Sequence, residues 1–242
     1  MTDHPRSILA AVDFGDASGR AISIAGTLAE RFGASLRLLH AGAFDVPPHL
    51  GSGELAGISA GDEVNRNRVA QFLTDFGRRH TKSAFAAVVD EGAPVDVILR
   101  ESTTSDLVAM GTHGRRGPSR WLLGSVAERV LREVGRPLLI ARASVKTFAP
   151  EEVFSRVLVY ASAPLTGVAA MQYAGMLAER FDGRVVDARY EPVEPALERT
   201  SATLLAVAAP LERAGVWLSN IGEPIVRFCD RPILFVPESG KG

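Results

Sequence analysis

The pentapeptide Leu-Ala-Glu-Arg-Phe occurs twice in this chain, at 28–32 and at 177–181. Both copies sit in the same order of features. An apolar run comes first, Ile8-Leu9-Ala10-Ala11-Val12 or Val157-Leu158-Val159-Tyr160-Ala161. A helical pattern then carries the chain to the phenylalanine. A glycine follows, Gly33 or Gly183, and a second strand-like run begins, Ser35 to Ala41 or Arg184 to Arg189. The closing runs also match: Arg136-Pro137-Leu138-Leu139-Ile140-Ala141 corresponds to Arg231-Pro232-Ile233-Leu234-Phe235-Val236. Agreement at both ends, in one order, marks an internal repeat.

The grammar of the repeat is α/β. Strands are expected at 7–13, 35–41, 84–90, 106–111 and 136–142, and helices at 17–32, about 59–80, 94–103 and 121–134. Near-continuous apolar runs read as strands covered on both faces. Their alternation with helices predicts a doubly wound parallel sheet. Phe44 to Gly61, rich in Gly, Pro and Ser, reads as a surface loop at a site rim. The second half is shorter. About a dozen residues separate Tyr190 from Leu204, where the first half has more than sixty. Its second helix and third strand are expected to be missing, or reduced to a short helix, Glu194 to Thr200. The expected division is a first domain at 1–145, a linker at about 146–154 and a shortened second domain at 155–242. The closing strands, Leu138 to Arg142 and Ile233 to Val236, are expected to pack together, since an apolar edge strand needs cover. A homodimer of whole chains is a further expectation.

Composition narrows the function classes. A net charge of −1 over 242 residues does not favour a broad nucleic-acid or anionic-membrane surface. Cys229 is the only cysteine, which excludes an intrachain disulfide and a cysteine-based zinc cluster. It reads as a packed residue on a helical face between Phe228 and Asp230. No apolar run approaches the roughly 18 residues of a membrane span, and Met1 to Arg6 has no signal-peptide apolar region. A cytoplasmic location is the expectation.

The chemistry concentrates in Met110 to Ala127. Two residues separate Gly111 from Gly114, and nine separate Gly114 from Gly124-Ser125. An apolar run precedes this stretch and a helical pattern follows. Glycines at a strand end let a backbone approach a ligand, and a helix start offers free N–H groups to a phosphate. The loop carries His113, Arg115, Arg116 and Arg120 and no acidic residue. It is neither a Walker loop nor a G-x-G-x-x-G fingerprint. Asp13, at the end of the first strand, suits a ribose diol; its other role is a cap, for which Asp16 and Ser18 are better placed. Ser125 suits a phosphate oxygen, or an N-cap with Glu128 completing a capping box. There is no His/Asp/Glu cluster with metal spacing. A Mg²⁺ or Mn²⁺ ion accompanying a nucleotide would have Asp13 as its protein carboxylate. Nothing in the spacing of His113, Ser119 and Asp13 builds a triad, so binding is favoured over catalysis.

With these motifs in place, the first 143 residues resemble a universal stress protein domain: VDFGDAS after the first strand, DLVAMGTHGRRG, then LLGSVAERVLREVGRPLLIAR. The resemblance implies a Rossmann-like sheet of order 3-2-1-4-5, dimerisation through the last strand, and ATP held mostly by backbone amides. It implies that Asp13 meets the ribose and that Val12 and Ala41 line the adenine pocket. Gly111, Gly114, Arg115, Gly124 and Ser125 would surround ribose and phosphates, with Met110, His113 and Val126 completing the set. The expected function is a tandem, ATP-binding stress-response or regulatory protein acting on a protein partner. The alternatives are a slow ATPase using the same site and a dimerisation module without nucleotide. The second half has lost the cradle: Ala208, Ala209, Pro210 and Leu211 align with Gly111 to Gly114, Ser219-Asn220 with Gly124-Ser125, and Ser162 replaces Asp13.

Overall fold

The computed structural model describes residues 4–42, 52–112, 124–142, 148–162, 167–189, 191–210 and 222–238, in backbone alone at 52–62, 223, 227 and 228. The first half runs β1 (Ser7–Ala11), α1 (Asp16–Phe32), β2 (Ser35–Gly42), α2 (Ser52–His80), β3 (Ala86–Glu91), α3 (Pro94–Ser102), β4 (Leu107–Thr112), α4 (Ser125–Glu133) and β5 (Leu138–Arg142). A single 3₁₀ turn, Glu152–Phe154, leads into β6 (Arg156–Tyr160), α5 (Val168–Arg180), β7 (Arg184–Asp187), α6 (Val193–Thr200), β8 (Leu204–Pro210), α7 (Glu223–Phe228) and β9 (Ile233–Glu238).

Among the described residues nine strands form one sheet, in the order β3-β2-β1-β4-β5-β9-β8-β6-β7. The first five strands have the expected 3-2-1-4-5 order. Every neighbouring pair is parallel except β5 and β9. Residues alternate between the two faces, as a strand period of two requires. Ile8, Ala10 and Leu107 pack under α1, whereas Leu9, Val108 and Met110 pack towards α3 and α4. Helix α1 comes close to the sheet because its buried side is built of small residues: Ala17, Ser18, Gly19, Ala21, Ala25 and Gly26. It stops at Gly33, whose left-handed backbone (φ 66°) lets its N–H return to the Ala29 carbonyl.

The antiparallel seam has a symmetry that the repeat explains. Leu138 faces Phe235, Leu139 faces Leu234 and Ile140 faces Ile233. Leu139 and Leu234 are repeat-equivalent, so they lie on a pseudo-twofold axis, with their neighbours exchanged about it. The two Leu-Ala-Glu-Arg-Phe copies also meet. The Arg31 guanidinium lies 5.3 Å from the Phe181 ring centre, and that of Arg180 lies 5.7 Å from the Phe32 ring centre. Arg180 Nε also donates to the Arg31 carbonyl at 2.6 Å. Residue i touches j while the repeat-equivalent of j touches that of i, which is the logic of an isologous dimer interface written within one chain.

Several elements differ from expectation. Helix α2 begins at Ser52, not near 59. Glycines 53, 57 and 61 lower helix propensity, but Pro48 is the last proline before Pro94, so nothing blocks the helix between them. Residues 52–61 are therefore helical and not loop. Strand β1 ends at Ala11, leaving Asp13 in the following loop. Cys229 is not inside a helix; it caps α7 with extended backbone. It is fully buried, and burial pushes its thiol up to about 11. Buried Arg142, at the end of β5, donates to the carbonyls of Val226 and Cys229 and so ties the seam to α7. In the second half, α6 alone joins β7 to β8, and among the described residues no strand lies beyond β7.

Two outcomes follow. A double-mutant cycle on Arg31→Ala and Phe181→Ala, read by denaturant unfolding, gives a favourable coupling of about 0.5–1 kcal/mol. Native Cys229 resists iodoacetamide at pH 8, because it is both inaccessible and protonated, and reacts once the chain is unfolded.

Candidate functional site

Strands β1, β2 and β4 lie side by side, so their carboxyl ends bring distant residues together. In open α/β sheets this is where the strand order reverses and where ligands sit. A cavity of about 270 Å³ opens there. The end of β2 supplies Leu39, His40 and Ala41. The β1 end and its loop supply Ala11, Val12 and Asp13, and β4 supplies Met110, Gly111 and Thr112. The start of α4 supplies Gly124, Ser125, Val126 and Ala127, and α3 supplies Pro94 and Ile98. The structure thus gathers Val12, Asp13, Ala41, Met110, Gly111, Gly124, Ser125 and Val126 around one space. The candidates His113, Gly114 and Arg115 lie outside the described residues, as do Arg116, Ser119, Arg120 and Trp121 to Leu123.

Asp13 is exposed. Its Oδ1 accepts the Gly15 N–H at 3.0 Å, forming a tight turn into α1. The N-cap is Gly15 itself, without a side-chain cap. Asp16 is the first helical residue, and the Ser18 hydroxyl donates back to the Gly15 carbonyl at 2.9 Å; neither is the expected cap. Between Asp13 and Gly15, Phe14 adopts a left-handed backbone (φ 63°), unusual for a bulky residue. Aromatic neighbours hold it: its ring centre lies 4.5 Å from His40, 4.8 Å from Phe72 and 5.6 Å from Phe76. His40 Nδ1 lies 2.8 Å from the Val12 carbonyl. A carbonyl can only accept, so Nδ1 carries the hydrogen, and the imidazole fixes the turn that presents Asp13.

The two described glycines of the motif are glycine for different reasons. A Cβ on Gly111 would stand 2.3 Å from Ser18 N and 2.4 Å from the Ala17 carbonyl carbon. The absent side chain makes room for the α1 backbone, and the close approach is helix on strand. A Cβ on Gly124 would meet nothing within 4 Å among the described residues, and the backbone there (φ −60°, ψ 148°) suits any residue. No contact within the described protein requires glycine at that position.

Gly124, not Ser125, is the N-cap of α4. The capping box does not form, and Glu128 instead accepts a hydrogen bond from Arg132 at 2.5 Å. The Glu128 N–H closes the first turn on the Gly124 carbonyl at 2.9 Å. The amides of Ser125, Val126 and Ala127 precede it and have no intrahelical acceptor. The exposed Ser125 hydroxyl has no hydrogen bond among the described residues. Also among the described residues, no group of three or more His, Cys, Asp or Glu is placed to hold a metal ion. No helix there is long and apolar enough to cross a membrane.

The equivalent position in the second half is built differently. Ser162 stands two residues beyond β6, as Asp13 does beyond β1. Pro210 ends β8 opposite Glu238. The Glu238 carboxylate accepts the N–H groups of Gly167 at 2.7 Å and Ala169 at 3.0 Å, so it occupies the start of α5. Leu211, Ser219 and Asn220 lie outside the described residues.

The model of the Universal stress protein family matches residues 5–142, more than half of the chain. This chain belongs to the universal stress protein family. A universal stress protein of Mycobacterium tuberculosis is 32% identical over 145 residues, covering 59% of this chain and 48% of the relative. One from Mycolicibacterium smegmatis is 31% identical over 137 residues, covering 56% and 45%. The chain thus spans about half the length of the curated relatives it matches. The crystal structure of a universal stress protein from Archaeoglobus fulgidus superposes with a TM-score of 0.72 at 17% identity, covering 96% of this chain and 98% of that one. A functionally unknown protein from Pseudomonas aeruginosa gives 0.63 at 13% identity, covering 98% and 94%. At these identities the likeness is one of fold, and it covers nearly the whole chain.

The glycine contrast is directly measurable. Gly111→Ala forces backbone against backbone and costs about 1–3 kcal/mol or more. Gly124→Ser, a good N-cap pointing into open space, stays within about 0.5 kcal/mol of the parent. Urea unfolding of the two variants distinguishes them.

Proposed function

We propose that the chain binds ATP, one molecule per chain, in the cavity at the ends of β1, β2 and β4. Residues 1–145 form the nucleotide-binding unit, and 155–242 form a reduced companion that takes the place of a second subunit. The observation that carries this reading is the convergence on one cavity of the Asp13 carboxylate and the first-turn amides of α4, which have no acceptor among the described residues. Val12 and Ala41 would pack against adenine, Asp13 would accept from the ribose hydroxyls, and phosphate oxygens would take the amides of Ser125 to Ala127 and the Ser125 hydroxyl. Anions at a helix start gain both free donors and the helix dipole. The volume, near the lower end of the roughly 300–1,000 Å³ typical of ligand sites, suits a nucleoside with its phosphates leading out along α4. A Mg²⁺ or Mn²⁺ ion accompanying the phosphates would have Asp13 within the site. Occupancy would alter the surface offered to a protein partner in a stress response, and whole chains would associate as homodimers.

Binding, not turnover, is the reading the side chains favour. Strong catalysis needs a positioned acid, base or metal, and the acid–base side chains among the described cavity residues are Asp13, which accepts the Gly15 N–H, and His40, whose Nδ1 hydrogen holds the Val12 turn. Steady-state hydrolysis with Mg²⁺ stays below the roughly 1–1,000 s⁻¹ of ordinary enzymes.

Calorimetry of the intact chain with ATP tests the site. The expected stoichiometry is one. Gly124→Val places methyl groups over the α4 amides, and Asp13→Ala removes the ribose acceptor. Each weakens binding about tenfold or more, the worth of a charge-assisted hydrogen bond, while the fold is retained by circular dichroism. Unchanged affinity in a folded Gly124→Val chain removes the start of α4 from the site.

A further inference from the structure

Helix α1 packs on the face of the sheet opposite α3 and α4, and a second cavity of about 430 Å³ opens along it. Its walls come from three parts of the chain: Asp16, Arg20 and Ile24 of α1, His80 at the end of α2, and Phe148 and Pro150 of the segment leading to the second half. The walls combine an apolar surface with two polar groups whose capacity is largely unused.

Arg20 is half-buried, and burial lowers its pKa. Its guanidinium donates to the Phe148 carbonyl at 3.3 Å. Among the described residues it has no carboxylate within ion-pair distance, and Asp16, one turn earlier on α1, does not reach it. A guanidinium has five N–H donors, so most of its fork remains available. His80 is held in place from several directions. Its carbonyl accepts from the Ser23 hydroxyl at 2.8 Å, its ring lies 4.6 Å from Phe76, and it fills the space over Gly19, where a Cβ would come within 2.5 Å of it. Neither ring nitrogen has a hydrogen bond among the described residues. Burial and the neighbouring Arg79 lower its pKa against the opposing pull of Asp16, so near neutral pH it offers one donor and one acceptor.

We propose that this cavity binds a small monocarboxylate carrying an apolar body. The carboxylate meets the Arg20 fork, a pairing that is planar and bidentate, and supplies the counter-charge that a half-buried cation lacks. The body lies against Ile24, Phe148 and Pro150, and His80 takes a second polar contact. Asp16 at the rim adds negative charge, which disfavours a dianion such as phosphate relative to a singly charged carboxylate. The site is separate from the nucleotide cavity, and neither reading depends on the other.

Benzoate is the probe. The intact chain is titrated while the ring C–H resonances of His80 are followed by NMR, assigned by comparison with His80→Gln. A saturable shift is expected. Arg20→Gln weakens binding about tenfold or more, and Arg20→Lys, which keeps the charge but not the fork, falls between. Inorganic phosphate binds more weakly than benzoate, and excess ATP leaves the benzoate titration unchanged. The proposal is overturned by any of four results: no saturable shift at His80, wild-type affinity in a folded Arg20→Gln chain, phosphate binding as tightly as benzoate, or displacement of benzoate by ATP.

Discussion

The pairing of β5 with β9 is the constraint on which the rest of this molecule depends. Each strand closes its own half of the sheet, and each would otherwise present an apolar edge with unpaired backbone groups. Joined at Leu139 and Leu234, they turn two open sheets into one of nine strands. The join is reinforced on one side by the crossed Arg31–Phe181 and Arg180–Phe32 contacts and at the far end by Arg142. The seam also bears on the site. It fixes β5, β5 fixes β4 by parallel pairing from Val108 to Thr112, and β4 carries Met110 and Gly111 into the cavity.

The site itself is assembled by two different uses of small size. Gly111 lets α1 press onto β4, which sets where the Asp13 turn can lie. Gly124 leaves the first amides of α4 uncovered. On the proposed reading, a substitution at Gly111 would therefore act on the ligand chiefly through the fold, whereas one at Gly124 would act on it directly. The strained Phe14 belongs to the same construction. A left-handed phenylalanine costs of order 1–3 kcal/mol, and it persists because His40, Phe72 and Phe76 enclose it. This links the geometry of the Asp13 turn to the packing of α2.

Much of the architecture was legible because it rests on period and order. Buried strands, their alternation with helices and the twice-used pentapeptide predict a doubly wound parallel sheet, the missing third strand and the pairing of the closing strands, whereas the 3-2-1-4-5 order follows from the family resemblance. Eight of the candidate site residues come together for the same reason, since ends of adjacent strands must converge. What escaped depends on competition between local alternatives. Asp16, Ser18 and Ser125 all look like caps, yet backbone geometry put Gly15 and Gly124 at those positions, and side-chain chemistry alone cannot rank such rivals. Helix α2 ran on through glycine-rich sequence because no proline opposed it. His40, Pro94 and Ile98 reach the cavity only through the register of β2 and the docking of α3, and neither leaves a local mark, although a lone histidine near the end of an apolar strand was a visible irregularity.

The two halves began from one grammar, and their differences all point the same way. Ser162 in place of Asp13 removes a carboxylate, and Pro210 removes a backbone donor at the end of β8. The loss of a helix and a strand between β7 and β8 leaves β7 without a counterpart of β3 among the described residues. Glu238 completes the change by satisfying the start of α5 with a carboxylate of the chain itself. A second anion there would face both an occupied set of amides and a like charge. The parts of the repeat that meet the seam, the closing strand and the Leu-Ala-Glu-Arg-Phe helix end, are the parts kept intact. Retention of the interface together with loss of the cradle is the pattern expected of a half kept to cover its neighbour's edge. On that argument the covalent link serves the fold by replacing a concentration-dependent subunit contact with an intramolecular one.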